Sequence, residues 1–205
     1  MVKVAEGCMQ PDLKRFFVRS ILLFFLSLVL WYELGDWQVR KAAQFAGLVL
    51  PHLHPFADYV IQIQGKCINL LMLIPPHAPD PGTVRGKSYP LLQLSGIPLY
   101  SALMLAAPSA MKHLKSLALG LLIVAVTGMI GVVIEASRHL LTGLVMLNVD
   151  LNKLAGLPAY APFFAKYLEL TSMLLLPLIL PVAVWAWQRR DFISRLISQP
   201  ERKLV

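Results

Sequence analysis

The chain has 205 residues, of which 57% are hydrophobic and only 15% charged. Soluble domains carry about 25% charged residues, so this balance, with long uncharged apolar runs, places the chain in the membrane class. The net charge of +8 does not point to nucleic acid, because Lys and Arg gather in short clusters beside the apolar runs, where positive-inside topology places them.

Lys3, Lys14, Arg15 and Arg19 precede the first apolar run, which extends from Phe16 to Leu34. No small-x-small cleavage pattern follows it, so residues 16 to 35 are expected to be an uncleaved first span. Trp31, Tyr32 and Trp37 stand at its far end, where aromatic rings favour the membrane interface. Next comes an amphipathic helix with apolar Ala42, Ala43, Phe45, Ala46, Val49 and Leu50 and polar Arg40, Lys41 and Gln44. It is expected to end at Pro51 and to lie along the membrane surface.

Residues 36 to 90 as a whole read as the main region outside the membrane on the far side. Ile61-Gln62-Ile63-Gln64 alternates with a strand period, Gly65-Lys66 turns the chain, and Cys67 to Ile74 reads as a second strand or a short apolar helix. Pro75, Pro76, Pro79, Pro81 and Gly82 make a loop, and Val84 to Leu94 is expected to add another short strand. A small antiparallel sheet follows from this pattern.

Span two covers residues 91 to 108 and is expected to kink at Pro98. Lys112, His113 and Lys115 form a basic turn over residues 109 to 116. Span three covers residues 117 to 137, with a helical pattern continuing towards Leu147 and with Gly120, Gly128 and Gly131 to admit close neighbours. Residues 148 to 166 form a second outer loop. Span four covers residues 167 to 188, bent by Pro177 and Pro181, with Trp185 and Trp187 at its inner end. Arg189, Arg190, Arg195, Arg202 and Lys203 make the tail over residues 189 to 205 basic. The fold class is therefore mainly α: a polytopic membrane protein of about four transmembrane helices with a small outer subdomain holding a short sheet. Both termini are expected in the cytoplasm, because the basic clusters then share one side.

Glu135, Arg138 and His139 are the most informative polar residues. On a helix Glu135 faces Arg138 at i+3 and His139 at i+4. Charges in a membrane are functional suspects. Counting from Lys115 places these at the outer interface, where an ion pair is the expected role, ahead of a partner contact or catalysis. Glu33 and Glu169 lie near outer span ends and would form a polar patch if they faced Arg138. Cys67 with His52, His54 or His77 would make a thiol–imidazole pair only if the fold brought them together. His52 and His54 would share a face on a strand, but no third metal ligand accompanies them. The two cysteines, Cys8 and Cys67, fall on opposite sides in this topology and are not expected to pair. No cofactor and no metal site is expected.

The second half of the chain resembles the exosortase H-associated membrane proteins. The resemblance rests on Tyr89-Pro90-Leu91-Leu92, on Gly96-Ile97-Pro98-Leu99 with Ala102 to Pro108, and on Gly131-Val132-Val133-Ile134-Glu135. It continues through Leu176-Pro177, Pro181-Val182-Ala183-Val184-Trp185 and Arg190-Asp191-Phe192. The resemblance implies a non-enzymatic accessory protein of a bacterial inner membrane, acting beside an exosortase, a membrane-embedded sorting transpeptidase. The implied partners are that exosortase or its substrate, besides membrane lipids. Exosortases use a Cys, an Arg and a His, and the rival reading is a divergent thiol transpeptidase or protease built on Cys67, Arg138 and His139. Gly65-Lys66-Cys67-Ile68-Asn69 lacks the small-residue context of an exosortase cysteine, and Arg138 and His139 are adjacent where the enzymes keep them apart. A third reading is a structural subunit of another membrane complex.

Overall fold

The computed structural model describes residues 11–55, 58–74, 82–107, 113–146, 167 and 169–198. It is mostly helical with one small sheet. Helix α1 spans Pro11–Glu33 and α2 spans Gly35–Leu53. Strands β1 (Asp58–Gln64), β2 (Cys67–Ile74) and β3 (Gly82–Ser88) form one antiparallel sheet in the order β1-β2-β3. The hairpin turns at Gly65, whose φ of +58° suits a residue without Cβ. Its register sets Gln64 opposite Cys67 and Asp58 opposite Leu73.

Two expectations for the flanks of the sheet are corrected. The third strand ends at Ser88 rather than running to Leu94, and α3 (Pro90–Gln93) starts with a proline at its first position. A proline there loses no helical hydrogen bond and its fixed φ suits a helix start. Pro51 does not end α2 but lies in its last turn, and the helix closes with the His54 N–H donating to the Leu50 carbonyl at 2.9 Å.

The apolar stripe of α2 is also not laid on the membrane. Val39, Ala42, Ala43, Ala46 and Leu50 follow the helical period and are buried against the inner sheet face, Ile68, Leu70, Met72 and Val84. Val132, Val133, Ala136 and Leu140 complete this core. Each large side chain taken from water here contributes about 1.5–3 kcal/mol.

Helix α4 (Gly96–Ala106) continues from α3 after a break at Leu94 and Ser95. Pro98 causes it: it has no N–H for the Leu94 carbonyl, and its ring crowds that oxygen. The Leu94 carbonyl accepts instead from the Ile97 N–H at 3.0 Å. Helix α5 runs unbroken over Leu114–Met146, so the long pattern past Glu135 is one helix. Its glycines sit where neighbours come closest: an added Cβ would lie 2.6 Å from the Leu94 side chain at Gly128 and 2.8 Å from Gln93 Oε1 at Gly131.

The last span begins in a wide, π-type stretch, α6 (Thr171–Ile179), and passes into α7 (Leu180–Gln188) and then α8 (Arg190–Ser198). Pro177 lies inside the wide stretch and Pro181 at the start of α7, where the missing proline N–H groups break a regular ladder. Two stretches are long and apolar enough to cross a membrane, Leu114–Gly143 and Thr171–Gln188, and Pro90–Ala106 is a shorter apolar helix. On α1, Phe17, Ile21, Leu22, Phe25, Val29 and Leu30 are about half exposed or more. The chain is thus a membrane protein. The second outer loop, residues 148 to 166, lies outside the described residues.

Two ends of the bundle are distinguished by contacts. At one, Lys66 of the hairpin turn donates to the Tyr32 carbonyl at 2.9 Å and its Nζ sits 3.0 Å above the Tyr32 ring, so the sheet lies at the C-terminal end of α1. At the other, Phe16, Ala106, Ala107, Trp185 and Phe192 gather the start of α1 with the ends of α4 and α7.

Candidate functional site

Near the sheet, α5 presents four polar side chains within five residues, and each reaches a different part of the chain. Glu135 is 2% exposed. Its Oε2 accepts from the Ser88 hydroxyl at 2.5 Å and from the Tyr89 N–H at 3.4 Å, so it holds the end of β3 and the link into α3. A buried carboxyl group keeps such donors because losing them exposes its full desolvation cost. Ser137 Oγ lies 2.9 Å from His54 Nε2, joining α5 to the C-terminal end of α2. Arg138 Nη1 lies 3.6 Å from Glu169 Oε1, joining α5 to the last span. His139 Nε2 lies 3.4 Å from Arg138 Nη2 and 3.0 Å from the Lys87 carbonyl, joining α5 to β3.

Gly86 makes the last contact possible. A Cβ there would lie 2.8 Å from His139 Cβ, closer than real side chains approach, so β3 meets α5 only where its side chain is absent. His54 is half-buried, and burial pulls its pKa below the ordinary histidine value of 6.5. Burial likewise raises the Tyr59 phenol, which packs against the inner core.

The expected pairing of Glu135 with Arg138 does not form; each has turned to another element. Of the two outer carboxylates, Glu169 meets Arg138, whereas Glu33 is exposed at the end of α1 and forms no hydrogen bond or ion pair among the described residues. His52 is exposed in the last turn of α2, with Nδ1 2.8 Å from the Leu48 carbonyl. His52 and His54 therefore lie on a helix end rather than on a strand. His77 and Cys8 lie outside the described residues. Among the described residues no three His, Cys, Asp or Glu side chains are grouped as metal ligands would be.

Cys67 is a free thiol at the turn end of β2. Alternation along β2 puts Ile68, Leu70 and Met72 on the buried face and Cys67 on the outward face. His139 packs against the buried face, at Gly86. The sheet thus separates the thiol from the Arg138–His139 pair, and the three do not assemble. What assembles is a set of side chains committed to fastening the sheet to the bundle.

The outward sheet face is open. Cross-strand rows set Gln62, Asn69 and Lys87 side by side, and Val60, Leu71 and Arg85 beside them. Together Gln62, Asn69, Leu71, Arg85 and Lys87 line a depression of about 540 Å³ that contains cations and amides but no carboxylate. Sequence reasoning missed this face, although the polar alternation at Gln62, Asn69, Arg85 and Lys87 marks it once the register is known.

A family model described as exosortase H-associated membrane protein matches residues 10–192 of the chain. Neither a curated protein nor a solved structure matches it.

Proposed function

We propose, from the premise that this chain belongs to the exosortase H-associated membrane proteins, that it is a non-enzymatic accessory subunit that docks beside an exosortase-type sorting transpeptidase or its substrate. In this reading α1, α3–α4, α5 and α6–α7 are four spans of a bacterial inner membrane. The sheet faces the periplasm, and both termini face the cytoplasm with the basic turn near Lys115. The gathering of Phe16, Ala107 and Trp185 at the end away from the sheet supports that arrangement.

The observation that carries the docking role is the two-sided character of the sheet. One face is sealed by α2 and α5, and α5 locks it in place through Glu135 and His139. The other offers Arg85 and Lys87 beside two amides on a sheet anchored from behind. A rigid surface binds with less ordering cost than a mobile one.

Copurification in mild detergent tests this. The wild-type chain is expected to retain a coexpressed exosortase, and Arg85→Glu with Lys87→Glu to lower retention at least about tenfold, the scale of one lost charged contact. Cys67→Ala is expected to leave retention and sorting unchanged. A wild-type chain that retains no exosortase would defeat the proposal.

A further inference from the structure

At the end of the bundle away from the sheet, several buried donors have no acceptor among the described residues. Arg189 is 6% exposed, and its Nε and Nη2 are buried without a partner. Trp185 Nε1 and Gln188 Nε2 are in the same condition. These residues stand at i, i+3 and i+4, on one helical face. Each is held in place by other groups. Trp185 stacks on Phe16 with centroids 5.8 Å apart. Gln188 has its amide oxygen 2.5 Å from the Tyr100 hydroxyl, which leaves only the amide nitrogen to seek a partner. Ser20 Oγ, one turn after Phe16 on α1, is also buried and unpartnered.

Buried polar groups are normally paired, and a buried cation with no counter-charge is the most costly exception. No carboxylate of the described chain answers Arg189; Asp191, next but one, is exposed and lies 3.9 Å from Arg190. Indole, amide and guanidinium nitrogens are donors only, so what completes them accepts several hydrogen bonds and carries negative charge. A phosphate does both, and a guanidinium matches its geometry.

Position supplies the source. Arg189 follows directly on the apolar Leu180–Gln188 helix, and exposed Lys14, Arg15 and Arg19 flank Phe16. Basic pockets between spans at this depth take lipid headgroups. Beside Ser20 an apolar groove of about 220 Å³ opens between α1 and α4, lined by Ile21, Phe24, Leu99, Ala102 and Leu103. It has the lining an acyl chain needs. We propose that Arg189, Gln188 and Trp185 bind the phosphate of an anionic phospholipid whose acyl chain lies in the α1–α4 groove.

Native mass spectrometry of the full chain in detergent tests this, with phosphatidylglycerol and phosphatidylcholine titrated separately. Wild type is expected to retain phosphatidylglycerol at least about tenfold more tightly, the scale of one charge-assisted contact. Arg189→Gln is expected to remove that preference, and Arg190→Gln, at an exposed neighbour, to keep it. Should Arg189→Gln not fold, the wild-type unfolding midpoint serves instead: it rises with phosphatidylglycerol and not with phosphatidylcholine. Inorganic phosphate that displaced the lipid at equal concentration would overturn the lipid assignment. Equal retention of both lipids by wild type would overturn the site itself, as expected if a partner protein's carboxylate fills it.

Discussion

The two ends of this bundle use their polar side chains differently. At the sheet end, Glu135, Ser137, Arg138 and His139 each reach a partner on another element of the same chain, although Arg138 Nε and Tyr59 Oη are themselves buried without one. At the far end, Trp185, Gln188 and Arg189 keep buried donors that no described residue satisfies. Side chains paired across elements fasten parts of a fold together; a buried cation with no counter-charge marks where something outside the described residues contributes.

The sharpest test of this contrast is truncation at the sheet end. Glu135→Ala leaves the buried Ser88 hydroxyl and the partly buried Tyr89 N–H without their acceptor and opens space beside them. It is expected to lower stability in detergent by about 3 kcal/mol, read as a fall in unfolding midpoint. A change below about 0.5 kcal/mol, the range of ordinary surface substitutions, would remove Glu135 from the fastening role.

Substitution at the far end should have the other sign. Arg189→Met removes an unpaired buried charge while keeping an apolar stem of similar reach. In lipid-free detergent it is expected to be neutral or stabilising by about 1 kcal/mol, as when buried charges give way to apolar groups. Clear destabilisation there would place Arg189 with the fastening side chains.

The ion pair between α5 and the last span is a weaker link. The Glu169 side chain is 43% exposed, so solvent screens the pair. A double-mutant cycle with Arg138→Ala and Glu169→Ala is expected to give a coupling below about 1 kcal/mol. A larger value would add Glu169 to the main fastening.

The smallest effect concerns pH. Burial lowers the folded pKa of His54, so the unfolded chain takes up a proton first as pH falls. Stability is therefore full above the ordinary value of 6.5 and declines below it, down to the depressed folded value. Unfolding midpoints between pH 7.5 and 5 are expected to show this slope, and His54→Gln to flatten it. An unchanged slope in the variant would assign the pH dependence elsewhere.

Much of this was legible in the sequence where the signal is local. The alternation at Ile61 to Gln64 and the Gly65-Lys66 pair announce the hairpin, and Pro98 announces the break in the second apolar stretch. The extent of α5 follows from its uninterrupted pattern. Local signals also misled: Val84 to Leu94 reads as one strand unless Pro90 is weighed as a helix start, and the stripe of α2 suits a membrane surface as well as a sheet. The fastening set was only half visible. Glu135, Arg138 and His139 stood out by type, and Glu169 as a partner for Arg138, but the Ser88–Glu135 bond spans 47 residues and has no sequence mark. Trp185 and Arg189 read as an interfacial aromatic and a topological charge, which hid their burial. Their spacing, with Gln188 between them, was the available clue.

The wide stretch at Thr171–Ile179 has a consequence for anyone projecting the last span onto a helical wheel. Each π-type turn takes in one residue more than an α turn, so the angular phase drifts through it. Glu169 above and Arg189 below are then not on the sides that a regular helix would assign. Faces drawn from one end of this segment are wrong at the other, and mutagenesis scans should be phased separately on either side of Pro177.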